Sequence, residues 1–280
     1  MRKLTCLLLA FVLLLSLVGC GDVVEKTIGK GKNSIRFKNS VSQSKIDGVL
    51  SDMNTMNSLC QSAPQQSQNG AERTYEMVLL IAEGVGVSSS DISYIQSKKD
   101  SGSASANSAV QEQVVSSYRT VELLVLIAEK LDKDNKYSSE ISAIETRLTN
   151  QNNLCESAPQ QVVNGAYRTV EILEVIAKIA DTKGKYTDEI ESIMDRYASM
   201  NASSQSAPQQ GVNGAYRSVE MILLIAEILD YDSDFTSDIN AVENKLWSQN
   251  DLCESAPQQD ANGVYRMTEA FGVLAEVLNS

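Results

Sequence analysis

The chain reads as all-α: five tandem helical hairpins of about 49 residues, forming an α-solenoid-like array. Three observations predict it. The segment SAPQQVVNGAYRTVEILEVIAKIA at 157–180 has close copies opening at Ser62, Ser108, Ser206 and Ser255. The arginines inside the copies, Arg73, Arg119, Arg168, Arg217 and Arg266, are spaced by 46, 49, 49 and 49 residues. A shorter periodic segment precedes each copy, marked by Ile46, Ile92, Ile141, Ile190 and Ile239, each 16 residues before the opening serine. The unit is therefore a short element B followed by a long element A. It repeats over about 43–84, 85–134, 135–183, 184–232 and 233–280.

Ahead of the repeats, Met1, Arg2 and Lys3 lead into an apolar run at 4–18 that ends in Leu17-Val18-Gly19-Cys20. A charged start followed by a short apolar run is a secretion signal. Its 15 residues fall short of the roughly 20 that a membrane span needs. The tetrapeptide resembles the lipidation signal of bacterial lipoproteins. The resemblance covers residues 1–20 only. It implies a signal peptide at 1–19, an acylated Cys20 inserted in membrane lipid, and an extracytoplasmic body on the periplasmic side or cell surface.

Loss of 1–19 removes Arg2 and Lys3 and takes the net charge from -12 to -14. The stretch at 20–42 is a basic tether, with Lys26, Lys30, Lys32, Arg36 and Lys38 against Asp22 and Glu25. A basic tether beside an anionic membrane and an acidic body held off it divide the charge sensibly. Nucleic acid is not an expected partner, because the body has no basic patch to displace counterions.

Element B shows one apolar stripe. In the fourth unit Ile190, Ile193, Met194 and Tyr197 recur at helical spacing, with Thr187 as expected cap and Asp188 and Glu189 in the first turn. Element A is apolar on two arcs and needs cover on two sides, which side-by-side stacking supplies. Ala82, Ala128, Ala177, Ala226 and Ala275 recur at one position and permit close axes. Ser157 is the expected cap, with Pro159 in the first turn. Asn164-Gly165, repeated at Asn69, Asn213 and Asn262, can mark a turn that splits A. The second copy has Val115-Ser116 there, which favours one continuous helix with the glycine at a tight crossing.

On a continuous helix Gln160, Asn164, Arg168 and Glu171 share one face. The stripe recurs as Gln209, Asn213, Arg217 and Glu220, and as Gln258, Asn262, Arg266 and Glu269; Arg73 with Glu76 and Arg119 with Glu122 keep the charged pair. The expected role is a ladder in which each guanidinium bridges its own glutamate and a group on the next unit. A ligand groove is the sharper alternative. Asp230, Asp232, Asp234 and Asp238 alternate as calcium ligands do, but Phe235 and Ala241 stand where a calcium loop needs Gly and Glu, so no metal is expected beyond a weak candidate.

Cys60, Cys155 and Cys253 each stand two residues before a long segment, and in a regular stack their units are never neighbours, so no disulfide is expected. The chain has no histidine, no phosphate-cradling glycine loop and no paired cysteine motif. No enzyme and no cofactor are expected. The expected function is a lipid-anchored scaffold or binding protein for a protein, peptide or envelope polymer. A solute-binding lipoprotein serving a transporter and a calcium-dependent adhesion module are the alternatives.

Overall fold

The computed structural model describes residues 26–27, 35–38 and 41–280. The signal segment, Cys20 and most of the tether lie outside the described residues. A short antiparallel pair joins β1 (Lys26–Thr27) to β2 (Arg36–Phe37). Ten helices follow in the expected alternation. The B elements are α1 (Gln43–Leu59), α3 (Ser89–Ser105), α5 (Ser138–Leu154), α7 (Thr187–Ser203) and α9 (Thr236–Asn250). The A elements are α2 (Ala63–Val85), α4 (Ala109–Leu131), α6 (Ala158–Ala180), α8 (Ala207–Leu229) and α10 (Ala256–Asn279).

Each A helix starts at its serine in extended backbone, and four of the five have proline in the first turn. The cap itself comes from glutamine. Gln160 Oε1 accepts from Glu156 N at 2.6 Å, and Gln65, Gln111, Gln209 and Gln258 repeat the bond at 2.8, 2.7, 2.9 and 2.7 Å. Ser108 Oγ also accepts from Gln111 N, and Ser62 Oγ donates to Gln65 Oε1. The Ser-x-x-Gln segment thus resembles a capping box whose glutamine reaches one residue further back, to the N-H ahead of the serine.

The B helices α5, α7 and α9 are positioned from the preceding loop instead. Asp132 accepts from Lys136 N and Tyr137 N, Asp181 from Lys185 N and Tyr186 N, and Asp230 from Asp234 N and Phe235 N. This corrects the cap expected at Thr187, which is the first helical residue of α7, with Tyr186 as N-cap. Asp181 holds Lys185 N and Tyr186 N, which fixes the chain one residue ahead of Thr187 and starts the helix there.

The A helices pack each on the next, α2 on α4, α4 on α6, α6 on α8 and α8 on α10, and α10 packs equally on α2. The array therefore closes into two concentric rings, five parallel A helices inside and five B helices outside. Each B helix lies over the groove between its own A helix and the one before; α1 covers the groove between α10 and α2. The solenoid-like array of five hairpins expected from the period is present, and its first and last units meet.

Closure uses the contacts of any other junction. Gly70 lies against Val264, and a Cβ on Gly70 would stand 3.0 Å from Val264 Cγ1. Asn69 Nδ2 donates to Tyr265 OH at 3.0 Å, Thr74 and Thr268 share a 2.9 Å hydroxyl bond, and Val41 N donates to Asn279 Oδ1 at 2.9 Å. The five repeated alanines are fully buried, as are Ile46, Ile92, Ile141, Ile190 and Ile239 at the B positions.

Candidate functional site

The polar stripe does not form one face. Its glutamines cap helices, its asparagines pin the inner ring, and its charged pairs lie between inner and outer rings. All A helices run unbroken through Asn-Gly, and the asparagine is the reason the position is polar. Asn164 Nδ2 donates to Leu148 O in α5 and to Tyr118 OH in α4, both at 3.0 Å. Asn69 does the same with Met53 O and Tyr265 OH, and Asn262 with Leu246 O and Tyr216 OH. Burial pushes the Tyr118 and Tyr216 hydroxyls up to about 12, so they accept these bonds in the neutral form. Asn213 departs from the pattern. It reaches Tyr197 O and Asn201 Oδ1, while Tyr167 packs edge-on against Tyr197.

Where Val115 replaces asparagine, the junction of α2 and α4 is rebuilt with charge. Glu72 takes the tyrosine position, and Lys99 Nζ meets it at 2.7 Å and Ser116 Oγ at 3.0 Å. Lys99 is buried and also faces the Tyr75 ring.

Each arginine pairs with the glutamate three residues on. The distances are 2.7 Å for Arg73–Glu76, 3.1 Å for Arg119–Glu122, 2.9 Å for Arg168–Glu171 and Arg217–Glu220, and 2.8 Å for Arg266–Glu269. The second partner differs from the expectation. Instead of the next unit, the B helix of the same unit supplies a base to the glutamate: Lys98, Arg147, Arg196 and Lys245. In the first unit Asp52 occupies that place, 3.9 Å from Arg73. Desolvation is the largest influence on the Arg168 and Arg217 guanidinium groups and lowers both pKa values. The charged pairs of the stripe thus fasten B to A.

Inside the ring, the first helical turns enclose an axial cavity of about 40 Å³ lined by all five A helices. One column of equivalent positions faces it: Ser67, Gln113, Val162, Gly211 and Asp260. Gln113 Nε2 donates to Asp260 Oδ2 at 2.9 Å, and Ser67 bonds the same carboxylate. Asp260 is half-buried, and desolvation is the largest influence on its carboxyl and raises its pKa. Sequence reading passed over Asp260 because its four counterparts are uncharged and unlike one another.

Asp230, Asp232, Asp234 and Asp238 are not gathered into a cation site, and no acidic, cysteine or histidine group suited to a metal occurs among the described residues. Both Asp230 oxygens are committed to the loop backbone.

Cys60, Cys155 and Cys253 are free, half-buried, and donate to the carbonyls four residues earlier at 3.3, 3.2 and 3.2 Å. Ring closure corrects one expectation, since the first and fifth units, carrying Cys60 and Cys253, are neighbours. Beside the cysteines, Leu59, Leu154 and Leu252 are 67%, 71% and 72% exposed. Met56 and Met200 stand out on the same end of the ring, where B helices finish and A helices begin.

No protein-family model, curated protein or solved structure matches the chain. The site rests on its own geometry.

Proposed function

We propose that the protein is a lipid-anchored, extracytoplasmic, non-catalytic scaffold or binding protein whose partner is a protein, peptide or envelope polymer, and that it meets this partner with the rim where the A helices begin. The observation that carries this reading is the repetition of outward leucines at Leu59, Leu154 and Leu252. Large apolar side chains at equivalent positions of a repeat give a repeated contact, and their exposure has no role in the ring's own packing. The N-terminal arm joins the ring at the other end, where Lys38 N donates to Gly84 O and Val41 meets Asn279. The described part of the arm thus meets the ring opposite the rim.

A solute-binding lipoprotein draws less support from the geometry. The axial cavity of about 40 Å³ is far below the roughly 300 Å³ at which small-molecule sites begin, and the arginine stripe does not line it.

The test compares the wild-type chain with the triple substitution Leu59→Asp, Leu154→Asp, Leu252→Asp as bait in extracts of the source cell envelope. A specific macromolecule retained by wild type and lost by the triple variant, at unchanged melting temperature, supports the reading. Recovery of a small metabolite with micromolar affinity and no macromolecule overturns it. Cys20→Ser is expected to move the protein from the membrane to the soluble fraction; retention as an integral membrane protein would remove the anchor.

A further inference from the structure

We propose that the cleft between the α4–α5 and α6–α7 loops binds a phosphate-bearing anion. The cleft encloses about 230 Å³ at the C-terminal ends of the inner helices, with the N-terminal arm forming one wall through Ile35 and Lys38. Lys130, Lys133, Lys136 and Lys178 join Lys38 in lining it. Three carboxylates line it as well: Asp132 and Asp181, each accepting two backbone N-H groups of its own loop, and Asp134, so the lining holds five lysines against three acids. Lys178 is held by Glu174 at 2.8 Å, whereas Lys38, Lys130 and Lys133 form no ion pair among the described residues.

The repeat itself shows that folding does not require these lysines. The α8–α9 loop has the same backbone, with Asp230 accepting from Asp234 N and Phe235 N and with Ser233 at φ 62 where Asn135 has φ 54. Yet Tyr231, Asp234 and Glu227 occupy the positions of Lys133, Lys136 and Lys178. Lys130 and Lys178 stand in the last turns of α4 and α6, where a cation complements the helix dipole, whereas Lys38, Lys133 and Lys136 lie outside any helix. On a chain of net charge -12, the inversion from acid to base brings these side chains to one concavity.

Lys136 lies over the Tyr137 ring, but the ammonium groups of Lys38, Lys130 and Lys133 line the concave site without an ion pair among the described residues, and such a set suits a compact, multiply charged oxyanion, which a phosphate supplies. An anionic phospholipid headgroup and a soluble phosphate ester carry the same chemistry, and the cleft has room for either. Occupation would tie the arm, through Lys38, to two loops of the ring. This site is independent of the acylation of Cys20 and of the leucine rim.

The experiment uses the full chain with Cys20→Ser, titrated with pyrophosphate by calorimetry and mixed with vesicles of phosphatidylcholine alone or with about 30% phosphatidylglycerol. The cleft variant is Lys133→Glu with Lys136→Asp. Its control, Lys183→Glu with Lys185→Asp, makes the same charge change at two residues of the α6–α7 loop that do not line the cleft, and the fold of both is checked by melting temperature. The expected result is binding that falls at least about tenfold in the cleft variant and less than about threefold in the control. Pyrophosphate binding with this pattern identifies a soluble phosphate source. Binding only to phosphatidylglycerol vesicles identifies the headgroup. Binding of neither probe, or equal loss in both variants, overturns the site.

Discussion

Asp260 is the one acid in a column whose other members are Ser67, Gln113, Val162 and Gly211, and it bonds Ser67 across the closing junction and Gln113 of α4 beyond it. Because desolvation raises its folded pKa, ionisation costs stability. Its contribution is fully present below the ordinary carboxylate value and is lost as the pH rises through the raised value. Asp260→Asn keeps an acceptor for Gln113 but has no charge to bury. We expect the variant to melt higher than wild type at neutral pH and the two to converge on acidification; a lower melting temperature for the variant at neutral pH would refute this sign. At Arg168 the expectation is opposite. Removing its guanidinium leaves Glu171 with Arg147 at 3.0 Å, so Arg168→Ala should cost about 1–2 kcal/mol. Removing both bases leaves the half-buried carboxylate unpaired. In a double-mutant cycle with Arg147→Ala the loss should exceed the sum of the single losses by at least about 0.5 kcal/mol. Identical melting curves for wild type and Arg168→Ala would show that the pair does not hold B to A.

At the scale of the helix, the glycines of the Asn-Gly pairs differ in what surrounds them. A Cβ on Gly214 would fall 2.7 Å from Ala166 Cβ and 3.4 Å from its backbone carbon, neither of which can rotate away. A Cβ on Gly165 would meet Ser117 Cβ and the Tyr118 ring at 3.2 Å, looser contacts that a helix shift of a few tenths of an ångström relieves. Alanine gains about 1 kcal/mol of helix propensity at either place, against about 1–3 kcal/mol for overpacking. Gly214→Ala should therefore destabilise by about 1–2 kcal/mol and Gly165→Ala by less than about 0.5 kcal/mol, as measured by urea unfolding. The continuity of the A helices was legible in the sequence because Val115-Ser116 is incompatible with an obligatory turn. The capping segment and the Arg–Glu pairs were legible because their partners lie within one helical turn. The base donated by the B helix was not, since 24 residues and a loop separate Arg147 from Glu171. The lysine cleft escaped for the same reason: Lys38, Lys133 and Lys178 belong to three separate segments, and only folding brings them to one cavity.

For the molecule as a whole, the repeat spacing specifies a unit but not the rotation from one unit to the next, so closure could not be read from the period. Five units close only when each turns by about one fifth of a circle, a property of how Gly70, Gly165, Gly214 and Gly263 let adjacent inner helices approach. The consequence is thermodynamic. In an open solenoid each terminal unit has one neighbour, lacks one interface energy and frays first. Here α2 has α10 on one side and α4 on the other, and α1 covers the junction as α5 covers that of α4 and α6. The first and last units should therefore open no more readily than the middle one. Native-state hydrogen exchange tests this directly, since amides in the middle of α2 and α10 should report opening free energies within about 1 kcal/mol of those in the middle of α6. Thr74→Val with Thr268→Val, which deletes the buried hydroxyl bond of the junction, should lower the protection of all three helices together by a similar amount. Selective loss in α2 and α10, with α6 unchanged, would mean that the junction opens independently and that the ring behaves in solution as a linear array with its ends in contact.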